Sequence, residues 1–137
     1  MHDDERRAGL EMFRAMLPGL LPDGDDVSLN SPTFAGEMGD LALHNAFATL
    51  WTRPGLDRRS RSLVTLGALI ALGVEDELSV HMRVARANGL SVDEIAEVVY
   101  HMTAYAGFPA AMAARRVGAQ IFDAQPDATA TTATTTD

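Results

Sequence analysis

The chain has 137 residues, a formal net charge of -8 from 19 acidic and 11 basic side chains, and no cysteine. Every basic residue is arginine, and the arginines do not form the clustered cationic face that nucleic-acid binding requires. The absence of cysteine excludes disulfides, thiolate nucleophiles and thiolate metal ligands.

The composition predicts one all-α domain. Hydrophobic residues make up 47% of the chain and aromatic residues only 6%. Alanine and leucine, which are strong helix formers, are the most prominent hydrophobic residues. The N-terminus lacks a cationic start followed by an apolar core, and the longest nearly apolar run, 63–74, is shorter than the ~20 residues of a membrane helix. We therefore expect a cytoplasmic protein that does not enter membranes.

Apolar residues recur at helical spacing in six segments, separated mostly by short connections. Ser31 is a candidate N-cap for the second helix, with Pro32 in its first turn. Asp57 is a candidate N-cap for the third helix, and Ser91 with Glu94 predicts a capping box at the start of the fifth. The predicted helices span about 4–17, 32–50, 58–72, 76–88, 92–106 and 109–122. The third is apolar on most sides and should lie centrally, and the predicted buried face of the fifth includes Ile95, Val99 and Tyr105. We expect a single helical domain over 1–122, a polar loop over 18–30 and a disordered tail over 123–137.

Glu77 and His81 are the first candidates for chemistry. Residues four apart on a helix project side by side, so Glu77 can hydrogen-bond His81, orient it and raise its basicity. Such a pair can move protons. The alternative interpretation is an exposed pair on the helix surface, worth a few tenths of a kcal/mol.

Several motifs around this pair resemble the carboxymuconolactone decarboxylase family. They are Trp51-Thr-Arg-Pro-Gly-Leu56, Glu77-Leu-x-x-His81, Asn88-Gly89-Leu90 and Tyr105-Ala-Gly-Phe-Pro109. The resemblance implies a compact six-helix bundle of the alkylhydroperoxidase D-like type, assembled as a homo-oligomer, a hexamer or a trimer. It also implies a carboxy-lyase that removes carbon dioxide from a carboxylated lactone such as γ-carboxymuconolactone, without cofactor or metal.

Thiol peroxidases of the same superfamily use a Cys-x-x-Cys pair upstream of a histidine. Val74 and Glu77 stand at the corresponding spacing from His81, so a dithiol mechanism is excluded. Decarboxylation instead needs a proton donor, cations that position carboxylates, and donors facing the developing oxyanion. His81, held by Glu77, is the first choice for the proton donor. Arg61 and Arg53 are the best carboxylate anchors, because a planar guanidinium pairs with a carboxylate through two parallel bonds. The alternatives are a subunit contact for Arg61 and a solvated turn arginine for Arg53.

Four further residues are candidates for the substrate pocket. His101 could be a second proton donor or an oxyanion partner, or a core histidine bonded to a backbone carbonyl. Trp51 and Tyr105 could line a pocket for a flat ring, or belong to the core. His44 is a weaker candidate on the same argument. The histidines show no close metal-ligand pairing.

The sequence leaves three functions open. The first is decarboxylation of a carboxylated lactone. The second keeps the site but performs isomerisation, lactone chemistry or another proton transfer in a biosynthetic pathway, because a fold does not determine its chemistry. The third is a catalytically silent helical protein that binds a small molecule or a partner. The site is expected between the third, fourth and fifth helices, with a neighbouring subunit as a further wall in an oligomer.

Overall fold

A computed structural model describes residues 2–123, which contain six helical segments and no β-strand. The predicted all-α six-helix architecture is therefore confirmed for this part of the chain. Apart from Asp123, the predicted disordered tail lies outside the described residues. The segments are α1 (Asp3–Met16), α2 (Met38–Ala42) continued by a π-helix (Leu43–Trp51), α3 (Arg58–Leu72), α4 (Glu75–Ala87), α5 (Val92–Tyr105) and α6 (Phe108–Phe122).

The last four helices enclose the main hydrophobic core. Helix α4 packs against α3 and α6, and α5 packs against the same two helices. Their inward residues are almost completely buried, and each large apolar side chain removed from water contributes roughly 1.5–3 kcal/mol. The core includes Leu66, Ile70, Leu78, Met82, Leu90, Ile95 and Ala114. This core holds α3, α4 and α5 in the arrangement on which the candidate site depends.

The N-terminal helix forms a smaller second core with the π-helix. Leu10, Met16 and Leu43 are fully buried there, and the rings of Phe13 and Phe47 lie 4.8 Å apart. Gly9 allows the two helices to approach closely, because an added Cβ would stand 3.0 Å from the Cβ of Ala48. Helix α1 also contacts α4, which connects this layer to the main core.

The prediction of one regular helix over 32–50 was wrong. Residues 31–36 form a turn in which Ser31 N donates to Gly36 O, and helical structure begins only at Met38. Asp40 explains the later start, because its carboxylate accepts from Leu29 N while its own N–H donates to the side chain of Asn30. From Leu43 the helix widens into a π-helix, and the hydroxyl of Thr49 donates to the carbonyl of His44, five residues back.

Arginine side chains of α1 bind the polar loop over 18–30 through hydrogen bonds and an ion pair. Arg14 donates to the carbonyls of Pro22 and Gly24, Arg6 donates to the carbonyl of Val27, and Arg7 forms an ion pair with Asp25. The loop therefore has a defined path beside the first helix.

Two packing predictions need correction. Tyr105, expected on the buried face of the fifth helix, is 75% exposed. Helix α3 contacts α4, α5 and α6 as a central helix should, yet its Val64 and Leu72 are 66% and 73% exposed. The core covers only one side of α3, because α4, α5 and α6 all pack there. Among residues 2–123, no helix has the length and apolar character needed to cross a membrane.

Candidate active site

His81 lies at the edge of the buried face of α4. Leu78, Met82 and Ala85 anchor that face in the core, which leaves the intervening His81 half-buried. Its Nδ1 is buried and has no hydrogen-bond partner in the described part of the chain. The predicted hydrogen bond, in which the imidazole N–H would donate to Glu77, is therefore not formed at this atom. The exposed Glu77 carboxylate acts on the imidazole through its charge.

The ring of Trp51 takes the place next to His81. The two rings are nearly parallel, with an angle of 15° between their planes and 6.3 Å between their centroids. Trp51 is the last residue of the π-helix and is itself half-buried. The N-terminal layer therefore reaches the candidate proton donor through a single aromatic side chain.

Burial controls the charge of His81. Loss of water around the ring lowers the pKa of His81 below its usual 6.5, and the nearby negative charge of Glu77 opposes this shift without cancelling it. The imidazole is consequently neutral at neutral pH in the free protein. A neutral, partly shielded imidazole gains a proton when further negative charge is brought close to it.

Trp51 and Arg61 share a cavity of about 160 Å³ between the end of the π-helix and α3. Arg61 Nε donates to the carbonyl of Leu56 at 3.0 Å, and Nη2 donates to the carbonyl of Arg53 at 3.2 Å. These two bonds hold the guanidinium in position while leaving other N–H groups for a ligand. The side chain of Arg53 is exposed, and its carbonyl serves to fix Arg61.

The rest of the cavity wall is mostly apolar, and the sequence analysis did not identify most of these lining residues. Its remaining lining residues are Leu50, Leu56, Val64 and Thr65. Thr65 bonds back to the carbonyl of Arg61, four residues earlier. The signal available in the sequence was the helical spacing of Arg61 and Thr65, which places both on one side of α3.

A buried polar pair that the sequence analysis also missed joins the two helices carrying Arg61 and His81. Asn88 Nδ2 donates to Ser62 Oγ at 3.0 Å, and both residues are buried. Ser62 directly follows Arg61, and Asn88 ends α4 just before Gly89. A buried hydrogen bond of this kind fixes how the two helices lie against each other.

His101 and Tyr105 lie together, but in a different place. Their rings are 4.9 Å apart, both side chains are exposed, and His101 lines an open groove between α3 and α5 with Leu63, Gly67 and Met102. The alternative of a core histidine at 101 is therefore wrong. His44 lies half-buried within the π-helix, and its carbonyl accepts from Thr49.

The structure thus brings Trp51, Arg61, His81 and Glu77 to one region, and places His101 and Tyr105 on a separate surface. A larger apolar cavity of about 220 Å³ lies between α5 and α6 and contains none of the predicted site residues. We place the candidate site at Trp51 because it joins the titratable ring to a cavity with a cation. Within residues 2–123, no group of three His, Asp or Glu side chains is arranged to hold a metal ion.

Comparison with known proteins agrees with these motifs. The chain is 37% identical to the 4-carboxymuconolactone decarboxylase of Acinetobacter baylyi over 89% of its own length and 90% of that protein. It is 41% identical to the nitrosuccinic acid decarboxylase of Metarhizium robertsii over 62% of its length and 59% of that protein. An uncharacterized 15.0 kDa protein of Paracoccus denitrificans is 32% identical over 85% of the chain and 86% of that protein.

The sequence model of one family covers most of the helical region. It matches residues 36–120, a range that begins before α2 and ends within α6, so it includes Trp51, Arg61 and His81. The chain belongs to the carboxymuconolactone decarboxylase family.

Proposed function

We propose that the protein is a cofactor-independent decarboxylase of a small anionic substrate, with a carboxylated lactone of the γ-carboxymuconolactone type as the first candidate. The observation that carries the proposal is the placement of His81 against Trp51, whose ring also lines a cavity containing the Arg61 guanidinium. Two relatives named as decarboxylases support the reaction class.

The reaction needs one proton for each carbon dioxide released. The bond between the carboxylate and a ring carbon conjugated to the lactone carbonyl breaks, and its electron pair moves into an oxyfuran-like dienolate. The imidazolium of His81 then donates a proton to carbon, and the neutral imidazole takes a new proton from water. General acid catalysis of this kind contributes about 10²–10⁴-fold in rate.

Bound substrate should make protonation of His81 more favourable than it is in the free protein. Burial keeps His81 neutral in the free protein, whereas substrate carboxylates bring negative charge that raises the pKa of His81. Glu77 acts in the same direction as the substrate. The free N–H groups of Arg61 can pair with a carboxylate through two parallel bonds and orient it in the cavity.

A nitro acid is the second candidate substrate, favoured by the similarity to a nitrosuccinic acid decarboxylase. A carboxylate on a carbon that bears a nitro group leaves its electron pair on the nitro oxygens as a nitronate, which is then protonated on carbon. The same proton donor and cation serve both reactions. The two candidates differ in shape, since one is a ring and the other an open chain.

The test is turnover of both acids by the purified full chain. Release of carbon dioxide is measured with enzymatically generated γ-carboxymuconolactone and, separately, with nitrosuccinate. His81→Gln is expected to lower kcat at least about 100-fold, because it removes the proton donor. His2→Gln is the matched control, since His2 is exposed at the start of α1 and its activity should equal that of the unaltered chain.

Three outcomes have distinct meanings. Turnover of one acid that disappears in His81→Gln supports the proposal and identifies the substrate type. Full turnover in His81→Gln contradicts the role of the imidazole. Failure of the folded, unaltered chain on both acids contradicts the decarboxylase proposal and favours isomerisation, lactone chemistry or binding without catalysis.

A further inference from the structure

Trp51 is the aromatic neighbour of His81, an imidazole whose buried Nδ1 has no hydrogen-bonding partner within residues 2–123. A functional imidazole is commonly oriented by a bond from its second nitrogen to a carboxylate or a backbone carbonyl. At His81 no such bond reaches the buried Nδ1 from residues 2–123. The near-parallel ring of Trp51 is what lies against the imidazole instead.

We propose that Trp51 is a positioning residue, which fixes the plane of the His81 ring and shields one of its faces from water. This inference rests on the proposed function in that it treats His81 as the proton donor. It differs from both alternatives that the sequence left open for Trp51, which were a pocket wall for a flat ring and a core residue. Its indole acts through His81, and Trp51 also lines the cavity that contains Arg61, where the acid would bind.

The π-helix explains how Trp51 reaches this position. In a π-helix each hydrogen bond joins residues five apart instead of four. The side chain of the last residue therefore points in a different direction from the one it would have in an α-helix of the same sequence. The Thr49 hydroxyl bonds back five residues to His44, which supports the wide turn. The close contact of Gly9 with Ala48 holds the same segment against α1. Short π-helical segments are frequent at functional sites.

Two physical effects of the indole on His81 oppose each other. Shielding from water disfavours the imidazolium, whereas the electron-rich face of an indole attracts a cation. Burial is the larger influence on His81, and Glu77 is the charged group that acts against it. Removal of the indole should therefore hydrate the imidazole and raise the pKa of His81 toward 6.5.

The first experiment uses fluorescence, because the chain contains one tryptophan and its emission reports on Trp51 alone. Protonated imidazole in contact with indole quenches its fluorescence. Emission of the unaltered full chain is expected to fall on acidification, in a single step at the pKa of His81. The step should vanish in His81→Gln. It should persist in His101→Gln, because His101 contacts Tyr105 and not Trp51.

The second experiment compares Trp51→Ala with Trp51→Phe, which keeps a flat ring. Histidine NMR should give a higher pKa of His81 in Trp51→Ala and little change in Trp51→Phe. With the acid that the protein turns over, Trp51→Ala should lower kcat about 10–100-fold and leave KM within about threefold, since misorientation of a catalytic group lowers the rate of the chemical step. Trp51→Phe should recover most of kcat.

The inference fails if fluorescence shows no step that depends on His81, or if the pKa of His81 stays constant or falls in Trp51→Ala. It also fails if Trp51→Ala raises KM with kcat unchanged, because that pattern identifies a substrate contact. If neither acid is turned over, the proposed function fails, and the fluorescence and NMR results still decide whether Trp51 controls His81. If Trp51→Ala does not fold, Trp51→Leu, which removes the flat ring but keeps an apolar side chain, takes its place in the comparison with Trp51→Phe.

Discussion

The role of His81 depends on which neighbours fold against it. The sequence places Glu77 one turn away, and this spacing predicted a hydrogen-bonded pair. In the structure, the buried face of α4 turns the imidazole toward Trp51 and leaves Glu77 in solvent. The result is a histidine whose pKa is lowered, whereas a hydrogen bond to Glu77 would have raised it.

This difference makes a prediction about pH. The profile of kcat/KM reports groups in the free enzyme, and that of kcat reports groups in the substrate complex. As the proposed proton donor, His81 has to be protonated for turnover, so kcat/KM should begin to fall as pH rises through a value below 6.5. In the complex the substrate's charge raises the pKa of His81, so kcat should stay constant to a higher pH.

Steady-state kinetics between pH 5 and 9 test the separation. Two alkaline limbs at the same pH would contradict the idea that substrate binding induces protonation. The alkaline limb of the kcat profile should also disappear in His81→Gln, because this variant lacks the imidazole whose deprotonation causes it.

Among the elements, the helices with strong local signals were predicted most accurately. Asp57 accepts from Ser60 N at the start of α3, and Ser91 forms the complete capping box with Glu94 at the start of α5. These signals are local, because the cap and its partner are three residues apart. The π-helix was missed because its side chains suit an α-helix equally well, and only Thr49 and the packing against α1 favour the wider turn.

The capping box of α5 gives a prediction for stability. Ser91→Ala removes the side-chain acceptor for Glu94 N and should lower the free energy of unfolding by about 1 kcal/mol. Urea denaturation followed by circular dichroism measures this change. Ser91→Asp is the matched control, since its carboxylate can accept the same bond. A loss in Ser91→Asp equal to that in Ser91→Ala would mean that capping is not what Ser91 contributes.

Several large apolar side chains are exposed on the helices of residues 2–123. Val64 and Leu72 on α3, Tyr100 on α5, and Phe108 and Met112 on α6 are all exposed. Apolar surface of this kind commonly marks a protein interface. Together with the short chain, it supports the proposal of a homo-oligomer, expected from the family resemblance to be a hexamer or a trimer.

A single charged substitution on the exposed face of α3 tests the oligomer proposal. Leu72→Asp places a carboxylate on the exposed face of α3, where burial in an interface would be costly, and should shift the protein to smaller species with unchanged helical content. Light scattering coupled to gel filtration measures the mass. Leu20→Asp is the control, because Leu20 is similarly exposed but lies outside the helices. A monomeric unaltered chain would refute the proposal.

The amino-acid sequence alone determined the helical class, the number of helical segments, most helix ends and the family. These features depend on periodicity, caps and motifs, which involve residues close together in the chain. Tertiary structure decided the geometry of the candidate site. Trp51 and His81 are 30 positions apart, and they meet only because a π-helix packed on α1 delivers one ring to α4. The separation of His101 from this region likewise depends on how α5 packs, which no local pattern specifies.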